Sequence, residues 1–104
     1  MRTREVIYAE AALDDLDRIL RWVAETASPV AAIHIVEQLE DYIATLDFAT
    51  ERGQSRDDLV TGLRIVGHGR AVIAVYVQPT IVTVSRVFYG GEDWKAALRR
   101  GEGD

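Results

Sequence analysis

Two stretches of helical hydrophobic period stand back to back in residues 9–47, split by Ser28-Pro29, and beyond Asp47 that period gives way to short apolar runs. This switch of period is the strongest limit on what the chain can fold into. In the first stretch Ala12, Leu13, Leu16, Ile19, Leu20 and Val23 share one face of a helix from Ala9 to about Thr26, while Asp14, Asp17, Arg18 and Arg21 fill the other side. Ser28-Pro29 is a helix start, because the hydroxyl caps free N–H groups and proline has no N–H to leave unsatisfied at the first helical position. The second helix runs to about Asp47 and turns Ala32, Val36, Leu39, Ile43 and Leu46 inward. Helices joined by so short a link form an antiparallel hairpin, and each stripe then needs a further apolar layer to cover it.

That layer follows in the chain. Glu51–Leu59 is polar and holds a glycine, which predicts a loop. Leu63–Val66, Ala71–Gln78 and Ile81–Tyr89 read as strands, separated by Gly67-His68-Gly69 and Gln78-Pro79-Thr80, links short enough for hairpin turns. The middle run, AVIAVYV, is apolar at nearly every position and belongs in the centre of a sheet or under cover on both faces. Glu5–Tyr8 reads as an opening strand, and Gly90-Gly91 breaks the last strand from a short amphipathic segment, Asp93–Arg100. The expected fold is α+β: β-α-α-β-β-β, a helical hairpin on a small, mostly antiparallel, twisted sheet. Its 104 residues suit a single domain, 1–104, with residues 101–104 as a frayed tail.

Charge is unevenly spread. Residues 1–47 carry ten acids against four bases, and residues 48–104 carry seven against eight, so the helical half is acidic and arginine gathers in the second half. A net charge of −5 makes a poor general nucleic-acid binder, since that affinity comes mainly from neutralising phosphates. No apolar run approaches the ~20 residues of a membrane span, no signal peptide is visible at the basic start, and there is no cysteine. Those features point to a soluble protein of the cytoplasm with no membrane attachment.

Catalytic patterns are hard to find. His34 and His68 are far apart and neither has a ligand at the next helical turn, so no metal site is expected. No serine sits in a nucleophile elbow, and Gly67-x-Gly69 does not open a helix as a phosphate loop does. Asp14 and Asp15 splay apart by about 100° on a helix and read as solvated surface, whereas Asp57-Asp58 has the position to tether a sheet arginine. Arginine is left as the functional signal. Arg64 and Arg86 lie on strands and Arg70 opens the central one, so an open sheet face would present guanidinium forks to carboxylates or phosphates. For Arg86 the alternative is internal pairing with Asp57, Asp58, Glu92 or Asp93, because a charge in an apolar strand is costly without a partner. Trp22, on the flank of the first helix, and Trp94, after the glycine pair, are of the residue type enriched at interface hot spots.

Taken in order, the opening strand, AALDDLDRILRWVAE, a second helix ending near Leu46, ERGQSRDDL, GLR, a strand containing Tyr76, and RVFYGGEDW resemble the ParE branch of the RelE/ParE toxin superfamily. The resemblance spans Val6 to about Leu98. It implies a βααβββ toxin of a type II toxin–antitoxin system, with no cofactor and no catalytic residue. Such a toxin is neutralised by a ParD-like antitoxin whose C-terminal segment wraps it in a hetero-oligomer, and poisons DNA gyrase when free. On that basis Arg64, Arg70 and Arg86 are expected to meet antitoxin carboxylates, and Trp22, Tyr76 and Phe88 its apolar anchors. Trp94, Arg99 and Arg100 are expected to engage the target. The sibling RelE-like branch cleaves mRNA on the ribosome with several Lys and Arg side chains and a C-terminal tyrosine. Here Lys95 is the only lysine, the Gly90-Gly91 loop carries no arginine, and Tyr89 precedes the glycines, standing where the ParE pattern has histidine. A third class is a toxin-like fold kept only as a binding partner.

Overall fold

The computed structural model describes residues 4–47 and 53–101. The elements run β1 (Glu5–Tyr8), α1 (Glu10–Thr26), α2 (Pro29–Ala44) with a closing 3-10 turn at Thr45–Asp47, β2 (Gln54–Ser55), β3 (Leu63–His68), β4 (Ala71–Val77), β5 (Ile81–Tyr89) and α3 (Trp94–Gly101). Among the described residues the strands form one sheet in the order β1-β5-β4-β3-β2. Pairing is antiparallel except for β1, which runs parallel to β5 with Glu5–Tyr8 opposite Ile81–Val84. A parallel neighbour requires a crossover. Everything between β1 and β5 provides it, with the helical hairpin laid over one sheet face.

The hairpin forms for the reasons its sequence gives. Ser28 Oγ accepts the Ala31 N–H at 3.0 Å and Pro29 occupies the first turn of α2, a cap of about 1 kcal/mol. Ala12, Leu16, Ile19 and Val23 of α1 meet Ala32, Leu39 and Ile43 of α2 over Ile73, Val75, Val82, Val84 and Val87 of the sheet. Leu13 departs from the expected stripe and stays 53% exposed, because α1 lies on the sheet along the Ala12–Ile19 line and Leu13 falls to its flank. His68 is not a turn residue: it ends β3 opposite Ala71, and its ring stacks on Tyr42 of α2 at 3.8 Å. Within the expected 51–59 loop, Gln54 and Ser55 add a short edge strand to β3; of the expected frayed tail 101–104, Gly101 closes α3, and residues 48–52 and 102–104 lie outside the described residues. No described helix is long and apolar enough to cross a membrane.

The second sheet face is covered too. Leu63, Ala74, Phe88 and Leu98 form a smaller core under α3, with Leu59, Val60, Tyr76, Trp94 and Ala97 packed around it. This explains why β4 is apolar at nearly every position: Ile73 and Val75 belong to the hairpin core, and Ala74 between them to the α3 core. A bulge sets which residues of β5 face which side. Arg86 stands opposite Ala74 and Val84 opposite Val75, so Ser85 is the extra residue, and the strand turns its side chains over at that point. Val82, Val84 and Val87 all enter the hairpin core, while Phe88 goes under α3.

Candidate partner-binding site

β1 ends at Tyr8, and β5 continues past it to Tyr89. Among the described residues the outer edge of β5 beyond Val84 therefore has no neighbouring strand, and side chains take over its backbone groups. Asp15 of α1 is 3% exposed, and its Oδ2 accepts the Val87 N–H at 2.9 Å. The same carboxylate receives Arg86 Nε at 2.7 Å, Arg86 Nη2 at 3.0 Å and Arg18 Nη2 at 2.8 Å. Arg18 Nη2 also lies 3.4 Å from the Val87 carbonyl, and its Nη1 donates to Glu92 Oε2 at 2.5 Å. Glu92 Oε1 closes the run by accepting the Tyr89 N–H at 2.9 Å. Arg86, Asp15, Arg18 and Glu92 thus form an alternating row of charges that clasps α1 to the end of β5.

The clasp corrects two expectations. Asp15 is not solvated surface, and Arg86 is not displayed for a foreign carboxylate. Its guanidinium is held by Asp15, rather than by any of the expected acids, and lies 5.0 Å over the Phe88 ring. The sequence did contain a signal for Asp15: it stands three residues after Ala12 and four before Ile19, both fully buried, and so occupies a core position of α1. Asp57 and Asp58 likewise do not tether a sheet arginine. Asp58 receives Arg56 Nε and Nη2, both at 2.9 Å, and the Arg56 contact holds its carboxyl down at about 2. Asp57 accepts the Gly62 N–H at 2.7 Å and the Ser55 hydroxyl at 3.0 Å, and those bonds lower its pKa.

Beside the clasp runs a trough. Arg18, Ile19, Trp22, Tyr89, Gly90, Gly91 and Glu92 line a cleft of about 350 Å³. On the far side of Tyr89 a second hollow of about 180 Å³ is lined by Ile35, Gln38, Leu39, His68, Gly69 and Arg70. Tyr89 is the shared floor. Trp22, 43% exposed, meets it edge-on at 6.2 Å, and the Arg70 guanidinium covers it at 5.3 Å. Gly90 makes this approach possible: its φ is +67°, and a Cβ there would stand 3.1 Å from the Trp22 ring and 3.4 Å from Arg70. Among the described residues Arg70 forms no ion pair. The result is an aromatic, half-open groove with cationic side chains along it.

Of the residues expected from sequence to bind a partner, only Trp22 and Arg70 stand in this trough. Phe88 is 3% exposed beneath α3, which corrects its expected role as a surface aromatic, and Tyr76 is half-buried against the same core. Arg64 lies on β3 opposite Ser55 and donates to the Gly53 carbonyl at 3.1 Å. Trp94 packs on the α3 core with Arg56 and Lys95 each 5.5 Å from its ring, and Arg99 and Arg100 are exposed in the last turn of α3. Tyr89, Arg18, Gly90 and Glu92 are trough residues that the sequence did not single out as binding residues. No group of three or more metal-ligating side chains converges among the described residues.

Residues 6–94 match the family model described as the ParE toxin of the type II toxin–antitoxin system, parDE. Among solved structures the chain is similar to one described as the chromosomal ParDE toxin–antitoxin system from P. aeruginosa. That match has a TM-score of 0.72 at 18% identity and covers 84% of this chain and 96% of the other. It is also similar to the toxin–antitoxin complex RelBE2 from Mycobacterium tuberculosis, with a TM-score of 0.60 at 15% identity, over 88% of this chain and 97% of the other. At such identities the likeness is one of fold. No curated protein sequence matches significantly.

Proposed function

This chain belongs to the ParE toxin family of type II toxin–antitoxin systems, and on that premise we propose that it acts by gripping other proteins rather than by catalysis. In this reading a cognate antitoxin segment lies in the Trp22–Tyr89 trough and neutralises the toxin in a hetero-oligomer. When free, the toxin inhibits DNA gyrase in the cytoplasm. The observation that carries the docking proposal is the trough itself: an aromatic floor half open to solvent, with the Arg70 guanidinium over Tyr89 and engaged in no ion pair among the described residues. An amphipathic acidic segment complements it, with an apolar anchor in the 350 Å³ cleft and a carboxylate on Arg70.

The arginines that a ribonuclease would gather around a phosphate hold separate partners: Asp15 for Arg86, the Gly53 carbonyl for Arg64, and the Tyr89 ring for Arg70. That separation favours binding over RNA cleavage. Titration calorimetry with a cognate ParD-like antitoxin tests the docking site. Trp22→Ala and Arg70→Glu should each weaken the complex at least about tenfold while leaving the fold intact, and unchanged affinity in both would refute it. The target is tested by DNA supercoiling. Purified chain that leaves gyrase untouched at saturating concentration refutes gyrase inhibition, and ribosome-dependent mRNA cleavage lost on substituting Arg64 or Arg86 would make the chain a nuclease.

A further inference from the structure

Glu92 occupies an unusual place. It lines the trough, yet it is an acid in a site whose other charged groups, Arg18 and Arg70, are cations. Its Oε2 holds Arg18 at the mouth of the cleft, and the two side chains are 37% and 40% exposed, whereas Asp15 on the inner side of the same guanidinium is 5% exposed. Arg18 therefore has one permanent carboxylate behind it and one in front that solvent, or another ligand, can reach. We propose that Glu92 is an internal stand-in for a partner's carboxylate: it occupies the outer side of Arg18 in the free protein, and the docking segment displaces it with an Asp or Glu of its own. The inference rests on the docking reading above and adds what the partner must carry and what it competes with.

The exchange trades one arginine–carboxylate pair for another, so the number of ion pairs is unchanged and the buried Asp15–Arg86 pair is left undisturbed. The released Glu92 remains at the rim, which the Gly90-Gly91 turn allows, both glycines having positive φ. The surrounding charges also fix the direction of the partner. Beyond Trp22 the outer flank of α1 presents Asp14, Asp17 and Glu25, with Arg21 already paired to Asp17. A carboxylate on that side would meet like charge. The segment's acids must therefore lie along the Arg18–Tyr89–Arg70 line, with its apolar anchor against Trp22 and neutral or basic residues beyond it. An internal competitor lowers apparent affinity by the fraction of molecules in which it occupies the site.

Glu92→Gln separates this role from a structural one, since the amide oxygen still accepts the Tyr89 N–H and preserves the turn. The probe is a full-length cognate ParD-like antitoxin, titrated calorimetrically against wild type and Glu92→Gln, with thermal melts of both free proteins. The expected result is about 2- to 5-fold tighter binding by Glu92→Gln, the range for releasing one half-exposed ion pair, at nearly unchanged melting temperature. Neutralising antitoxin acids one at a time should then identify one whose loss costs more against Glu92→Gln than against wild type. Binding that is unchanged or weaker in Glu92→Gln, or no antitoxin acid coupled to it, overturns the inference and leaves the docking reading standing. Failure of the antitoxin to bind wild type at all overturns both.

Discussion

Replacing Asp15 by alanine should be among the most damaging changes to this protein, although Asp15 is not expected to touch a partner. The carboxylate receives two bonds from Arg86, one from Arg18 and one from the Val87 N–H, all at 3.0 Å or less. Breaking a buried ion pair by removing one member costs about 3–5 kcal/mol, because the remaining charge stays desolvated without compensation. A stranded backbone N–H adds about 1–3 kcal/mol when it finds no water, so about 3 kcal/mol is the lower bound. A domain of this size holds about 5–15 kcal/mol in all, and at about 4–8 °C per kcal/mol the melting temperature should fall by at least about 12 °C. Urea unfolding followed by far-UV circular dichroism gives the free energy directly. Arg86→Ala should cost less, since Asp15 keeps Arg18 and Val87, and the double variant should be milder than the sum of the two by about 1–3 kcal/mol. A loss below about 1 kcal/mol for Asp15→Ala, or strict additivity with Arg86→Ala, would refute the clasp as the tie between α1 and β5.

Gly90→Ala puts a Cβ 3.1 Å from Trp22 at a φ of +67° and should cost about 1–2 kcal/mol with a shift in tryptophan emission; unchanged stability and emission would show that the turn does not lie under Trp22. Phe88→Ala should cost about 3–5 kcal/mol and release α3, seen as loss of amide-exchange protection in residues 94–101, because Phe88 and Leu98 are central to the core on that face. The Asp58 pKa is held down at about 2 from 3.8, so its contribution is present above about pH 4 and is lost as pH falls through about 2. Asp57 shifts the same way. An NMR titration should show the carboxyl of Asp58 and the Arg56 Nε–H changing together near pH 2; a midpoint near 4 would mean that Arg56 does not hold it.

Much of the architecture was already legible in the chain because it rests on short-range rules. The two helical stripes, the Ser28-Pro29 cap, the turns between strands and the doubly apolar β4 are each readable within a window of a few turns or one strand, although Leu13 leaves the first stripe and the β3–β4 link is Gly69-Arg70 rather than Gly67-His68-Gly69. The likeness of the whole order of elements to the ParE family was equally a property of the sequence. The site was not local in this way. Whether Asp15 is surface or core depends on where β1 stops against β5, a register between residues some seventy positions apart, and on the one-residue bulge at Ser85 that decides which way Arg86, Phe88 and Tyr89 face. Phe88 looks like a surface anchor until α3 folds onto it, and Tyr89 looks like the end of a strand until Trp22, Arg70 and Gly90 close around it. Periodicity assigns a side chain to one face of its own element. Only the tertiary structure decides what covers that face, and here it neutralised one strand arginine with a buried acid while leaving Arg70 at the open trough.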